Sequence, residues 1–202
     1  MNNAHILEQF LPEGTAETIG KWINHFRCDF TIHRSRRSKF GDYRSPYNGE
    51  PHRISVNRDL NRYAFLVTTV HEFAHLLTWN EHRDRAKPHG AEWKANFKRM
   101  MQPFFQMNRL PADVQTALKG YLENPAASSC GDLRLMRALK KYDDPKPDAV
   151  TVEKLPLGSI FCLPDGRTFR KQERLRKRYR CVEVLTNRVY LFSPVAEVKK
   201  VG

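Results

Sequence analysis

No window of this 202-residue chain approaches the roughly 18 uninterrupted apolar residues that a membrane-spanning helix needs, so no such span and no membrane partner is expected. The leading residues MNNAHILEQFLPEGT have neither a charged n-region nor an apolar h-region, and the expectation is a cytoplasmic protein. Cysteine is sparse. Cys28, Cys130, Cys162 and Cys181 stand isolated and far apart, which reads as reduced thiols and excludes a disulfide framework. Acidic residues are also in short supply: 22 Asp/Glu against 35 Lys/Arg leave a formal charge of +13. A surplus of that size favours an anionic partner, with nucleic acid ahead of a membrane surface. Neither an internal repeat nor a low-complexity tract is present. What is present is material for a core, since 40% of the residues are hydrophobic, in a length that fits one domain plus a small appendage.

Hydrophobic spacing organises the chain. Ile19, Trp22, Ile23 and Phe26 form one stripe of a helix over about 16–26. CDFTIHR, KFGDYRS and HRISVNR alternate as three short strands, with turn residues at Asn48-Gly49. From Asp59 to Trp79 an apolar-rich run free of Gly and Pro predicts one long helix. NEHRDRAKPHG then reads as a loop, followed by helices from His89 or Ala91 to about Met101, over Ala112–Glu123 and over Asp132–Tyr142. YDDPKPDA resembles a linker. Beyond it, GSIFCLPDGRTF and RCVEVLTNRVYLF suggest strands turning at Asp165-Gly166 and Thr186-Asn187. The expected class is α+β: helices with a short mixed or antiparallel sheet over 1–142, a linker over 143–149, and a small all-β module over 150–202.

The chemistry concentrates in TTVHEFAHLLTW, residues 68–79. On a helix His71 and His75 lie on one face and can present nitrogens to a single ion. Glu72 is rotated by about 100° from His71, an offset that suits a carboxylate reaching a water on the metal without ligating it. Two histidines and a glutamate on an apolar helix are costly to bury unless something pairs with them, and a metal supplies that partner. The third ligand is open between His89, Glu92 and His82. His89, at a helix start between a proline and a glycine, is favoured over Glu92; His82 sits in a charged run. The metzincin continuation is excluded, because it needs glycine at 78 and histidine at 81, where this chain has Thr78 and Glu81.

HEFAHLLTWNEHRDRAKPHGAEWKANFKRMM resembles the SprT-like metalloprotease family, which pairs HExxH with a later histidine in a His-Gly-x-x-aromatic context, here His89-Gly90-Ala91-Glu92-Trp93. KFGDYRSPYNGEPHRISVNRDL resembles that family's strand pair before the active-site helix, so the likeness covers about 15–103. It implies a compact zincin-like catalytic domain, one zinc ion held by His71, His75 and His89, Glu72 as general base, and protein substrates, in some members bound or crosslinked to DNA. The tail departs from the family. Many bacterial members end in a zinc ribbon of two cysteine pairs, whereas residues 149–202 hold no histidine and only Cys162 and Cys181, so a second zinc is not expected. A degenerate ribbon and an unrelated small barrel both remain open.

The same tail carries 12 Lys/Arg against 5 Asp/Glu, a net of +7. Within it Arg167, Arg170, Lys171, Arg174, Arg176, Lys177, Arg178 and Arg180 alternate with Phe169 and Tyr179. Such a surface neutralises phosphates, and the rings can stack on unpaired bases, which makes DNA the expected partner of the module. A second basic patch, HRSRRSKF, lies between two strands, where it either flanks the substrate cleft or discourages edge pairing. Tyr43, Tyr63 and Arg83 are candidates for stabilising an oxyanion, with no spacing rule to choose among them. The leading expectation is therefore a zinc peptidase held near nucleic acid. Its rivals are a nucleic-acid-binding protein with a structural or inactive metal and, less favoured, a deformylase-type hydrolase.

Overall fold

The computed structural model describes residues 3–36, 39–126 and 131–201, which divide into two compact units, Met1–Asp143 and Asp144–Gly202. Arg37 of the basic patch and Cys130 lie outside the described residues. The class is α+β, with a separate all-β sheet of six strands at the carboxy-terminal end. Among the described residues no helix is long and apolar enough to cross a membrane.

In the first unit α1 (Asn3–Leu7) and α2 (Ala16–Phe26) precede a three-stranded sheet of β1 (Asp29–His33), β2 (Gly41–Arg44) and β3 (Arg53–Asn57). The strand order is β1-β3-β2. β1 runs parallel to β3 with Phe30 beside Ile54, while β2 is antiparallel to β3 with Tyr43 opposite Ile54. The sheet is thus mixed, and β2 is an edge. Ile54 and Val56 face the core; Thr31 on the other face of β1 is exposed.

The long helix α3 (Arg62–His82) starts three residues later than the apolar run suggests. The reason is local: the side chain of Asn61 accepts from the backbone N–H groups of Tyr63 and Ala64, an N-cap that fixes the first turn. Ala64 through Val70 are all buried, so α3 is covered nearly all round, by α4 (Ala91–Gln106) on one side and by β2 and β3 on another. α4 continues past Met101 and through Pro103, where a stop was the natural reading; the proline falls in the last turn, and Met107 N–H still reaches its carbonyl. α5 (Ala112–Glu123) and α6 (Leu133–Lys140) complete the unit.

The second unit comprises β4 (Ala149–Thr151), β5 (Ile160–Cys162), β6 (Thr168–Arg174), β7 (Tyr179–Glu183), β8 (Val189–Phe192) and β9 (Glu197–Lys200), ordered β4-β9-β5-β6-β7-β8 and antiparallel throughout. β8 and β9 stand four places apart, which in a flat sheet is roughly 19 Å. Yet residues 193–196 join them in a tight turn, with Ala196 N–H donating to the Ser193 carbonyl at 3.1 Å. The sheet must therefore curl towards a barrel. Phe161, Phe169, Tyr190 and Phe192 pack edge-to-face and stacked in its interior.

Candidate metal centre

One helical turn separates His71 from His75 on α3, and the loop before α4 brings His89 to meet them. The three Nε2 atoms lie 3.3 Å (His71–His75), 2.9 Å (His75–His89) and 3.3 Å (His71–His89) apart. Donors held about 2.0–2.1 Å from a tetrahedral ion stand roughly 3.3–3.4 Å from one another, so the donor set fits a small cation. A neutral triangle cannot satisfy itself by hydrogen bonds: each nitrogen carries either a proton or a lone pair, so at least one edge sets two protons or two lone pairs against each other. Among the described residues this is the one group of three His, Cys, Asp or Glu side chains that can hold a metal ion. Burial, together with mutual repulsion, pushes His71 down to about 3; burial and the charge of His89 do the same to His75; burial alone lowers His89. All three are thus neutral near pH 7, as ligands must be.

His89 reaches the cluster at a local cost. Its φ is 58°, in the left-handed region, within a turn closed by Gly90 N–H donating to the Lys87 carbonyl at 2.8 Å. Pro88 takes the first central position and His89 the second, which in a turn of this kind usually belongs to glycine. Gly90 is itself required: a Cβ there would lie 2.9 Å from the Lys87 carbonyl oxygen. Beneath the cluster lies Trp93, fully buried, with its ring centroid 4.6, 5.2 and 4.7 Å from those of His71, His75 and His89. Its indole N–H is buried and has no hydrogen-bond partner among the described residues. The other two candidates for third ligand stay out. Glu92 is exposed in the first turn of α4, and His82 ends α3 beside Glu81.

Glu72 is buried. Burial, reinforced by the charge of Asp42 and opposed by Arg36 and Lys39, pushes its carboxyl up to about 8 in the metal-free chain. Gly41 opens β2 directly against it. A Cβ at Gly41 would overlap Glu72 Oε1 and lie 2.8 Å from its Cγ and 2.7 Å from Thr68 Cγ2. Two residues on, the ring of Tyr43 runs parallel to that of His75, with centroids 6.1 Å apart, and its hydroxyl lies 3.0 Å from Nδ1 of buried His52. Burial raises the Tyr43 phenol, which stays protonated, and lowers His52. Of the three oxyanion candidates only Tyr43 borders the histidines. Tyr63 packs on Tyr142 at the start of α3, and Arg83 lies over the Trp79 ring at 4.0 Å. Sequence reasoning missed Gly41 and His52. A glycine inside an alternating strand signals close backbone approach, and that signal was legible.

The basic residues separate into distinct roles. Arg176, Lys177 and Arg178 form the exposed β6–β7 loop, and Arg170 and Arg174 project from β6. Arg180 sits 3.4 Å from Glu173; Arg167 pairs with Asp165 at 3.0 Å and lies over the Phe169 and Tyr190 rings. Lys171 corrects the reading of the run as a uniform surface. It is 3% exposed, donates to the Leu155 carbonyl at 2.5 Å and stands over Tyr179. Phe169 is also buried, so the interleaved aromatic does not present its face to a base. In the other patch Arg36 folds back onto the sheet, donating to Asn57 Oδ1 and Ser55 Oγ, and Lys39 pairs with Asp42.

A family model described as the SprT-like family matches residues 8–116, rather more than half of the chain. No curated protein and no solved structure matches.

Proposed function

The chain belongs to the SprT-like family, and from that premise we propose that its metallopeptidase-like first unit is a zinc-dependent peptidase, with His71, His75 and His89 holding one Zn2+ and Glu72 acting as base. The observation that carries this reading is the convergence of three neutral imidazole nitrogens within 3.3 Å, with a buried carboxylate on the residue after the first. Three imidazoles suit zinc, and three protein ligands leave a fourth position open. A zinc ion bound there supplies Lewis acidity towards a carbonyl oxygen and lowers the pKa of a water in that position. The protein's own groups do the rest. The Glu72 carboxylate takes a proton from the attacking water and returns it to the departing amine nitrogen, so no covalent acyl-enzyme forms. Gly41 leaves that carboxylate room, and the Tyr43 phenol, protonated across the working pH range, borders the His75 ring. β2 is a sheet edge beside α3, where an extended peptide can add as a strand.

Substrates are proposed to be proteins held near DNA by the exposed basic residues of the second unit, an arrangement that needs little side-chain selectivity. Glu72→Gln tests the chemistry. Zinc content by elemental analysis should stay near one per chain while cleavage of a denatured protein substrate falls at least about a hundredfold. Retained turnover in that variant removes Glu72 from the reaction, and metal retained in His71→Ala/His89→Ala removes the proposed ligand set.

A further inference from the structure

β8 ends the strand order of the second unit, with β7 as its one neighbour. Its four residues alternate cleanly. Tyr190 and Phe192 point inward against Phe161 and Phe169, while Val189 and Leu191 point outward, each 50% exposed. The β7–β8 loop adds Val184 and Leu185, the latter 90% exposed. An edge strand with unpaired backbone groups is ordinarily blunted by a charge, a proline or a bulge. β8 has no charged residue, proline or glycine, and its four pairs with β7 run in unbroken register. The opposite edge differs: β4 is three residues long, and its flanks are tied by Lys199–Asp148 and Lys146–Glu197 pairs.

Charge identifies the occupant. In the outer face Leu191 stands beside Arg180, and Val189 beside Val182, which is followed by Arg170. Among the described residues no carboxylate pairs with Arg170 or with Arg188, which precedes β8. A second copy would bring two segments of net +7 together at this edge. We propose that β8 is a docking strand for an extended acidic segment of a partner protein, whose outward-facing row sets aliphatic side chains beside Val189 and Leu191 and, between them on the same face, carboxylates in the field of Arg170, Arg180 and Arg188. Backbone pairing supplies affinity and the side-chain rows supply register.

The probe is an end-blocked peptide with the repeat glutamate-threonine-valine-threonine, which sets glutamate and valine in turn along one face of an added strand; it is titrated into the isotopically labelled full chain and followed by NMR. The expected result is perturbation and slowed exchange of the β8 amides, at least tenfold weaker binding in Val189→Thr/Leu191→Thr, and no comparable binding of the matching lysine–valine peptide. Threonine is β-branched and suits a strand, and both positions are exposed, so the fold of the pair is retained and is checked by circular dichroism. Four results overturn the proposal: neither peptide binds; both bind equally; a DNA duplex in place of the peptide protects β8; or the chain dimerises through β8 and the threonine pair restores the monomer.

Discussion

His89 occupies a backbone conformation that a side chain enters at a cost of about 1 kcal/mol or more, and among the described residues the polar contacts of its imidazole are with His71 and His75, the other two members of the cluster. The cost is explained if the side chain is retained for a ligand, and that separates stability from function. His89→Gly should lose the metal, yet in metal-free protein it should be about 0.5–1 kcal/mol more stable than wild type in urea unfolding. A less stable metal-free variant would mean that the imidazole is kept for packing on Trp93 alone. Gly41 makes the converse case, a residue that acts by leaving space. Gly41→Ala should retain zinc while turnover drops at least about tenfold with little change in KM, because the added methyl points at Glu72 and Thr68, displacing the Glu72 carboxylate, and its nearest atoms belong to none of the three ligands. Loss of zinc from that variant would count against it. The helical pair His71 and His75 was legible because spacing four on a helix is a local fact. The strain at His89 was half legible, in Pro88 and Gly90. The burial of Lys171 follows from strand alternation, since it shares the inner face of Phe169 two residues before it and the register shifts only after it; it was hidden because a lysine in a basic run reads as exposed.

Elements fared according to how local their determinants are. The strands at 29–33, 41–44 and 53–57 follow alternation, and α2 follows its stripe, so both were readable. β4 and β9 were not: each has three or four residues, and each gains its identity from pairing with a strand distant in sequence. The start of α3 was misplaced because a cap outweighs an apolar run. Asn61 does two things at once. Its Oδ1 caps α3, and its Nδ2 donates to the Leu139 carbonyl at 2.9 Å and to Asp143 Oδ1 at 2.5 Å, fastening α6 to the helix that carries His71 and His75. Asn61→Ala should therefore cost about 1–2 kcal/mol in chemical unfolding of the first unit. Asn61→Asp keeps the cap acceptor but sets a carboxylate against a carbonyl and Asp143. If capping alone mattered, the aspartate variant would unfold like wild type; it should instead be no more stable than the alanine variant.

At the scale of the whole molecule, charge is distributed unevenly, and burial sorts it further. The tail holds +7 of the +13, but its basic residues are not equivalent: Arg176, Lys177 and Arg178 extend into solvent, Arg167 and Arg180 lie beside carboxylates, and Lys171 is sealed inside the curled sheet. Phosphate neutralisation releases counterions only where a cation reaches the backbone of the nucleic acid, so the salt dependence of binding counts the residues that do. Replacing Arg176, Lys177 or Arg178 with alanine should weaken duplex binding similarly for any sequence and lower the slope of log K against log salt by about 1 each. Lys171→Met should leave that slope unchanged, because the ammonium it removes is already spent on the Leu155 carbonyl and on the Tyr179 ring. With Phe169 buried, single strands gain no stacking partner from that ring and should hold no advantage over duplex at equal phosphate number. A slope that fell with Lys171→Met would put that ammonium on phosphate after all, and a slope that ignored the loop residues would assign their charge to solubility.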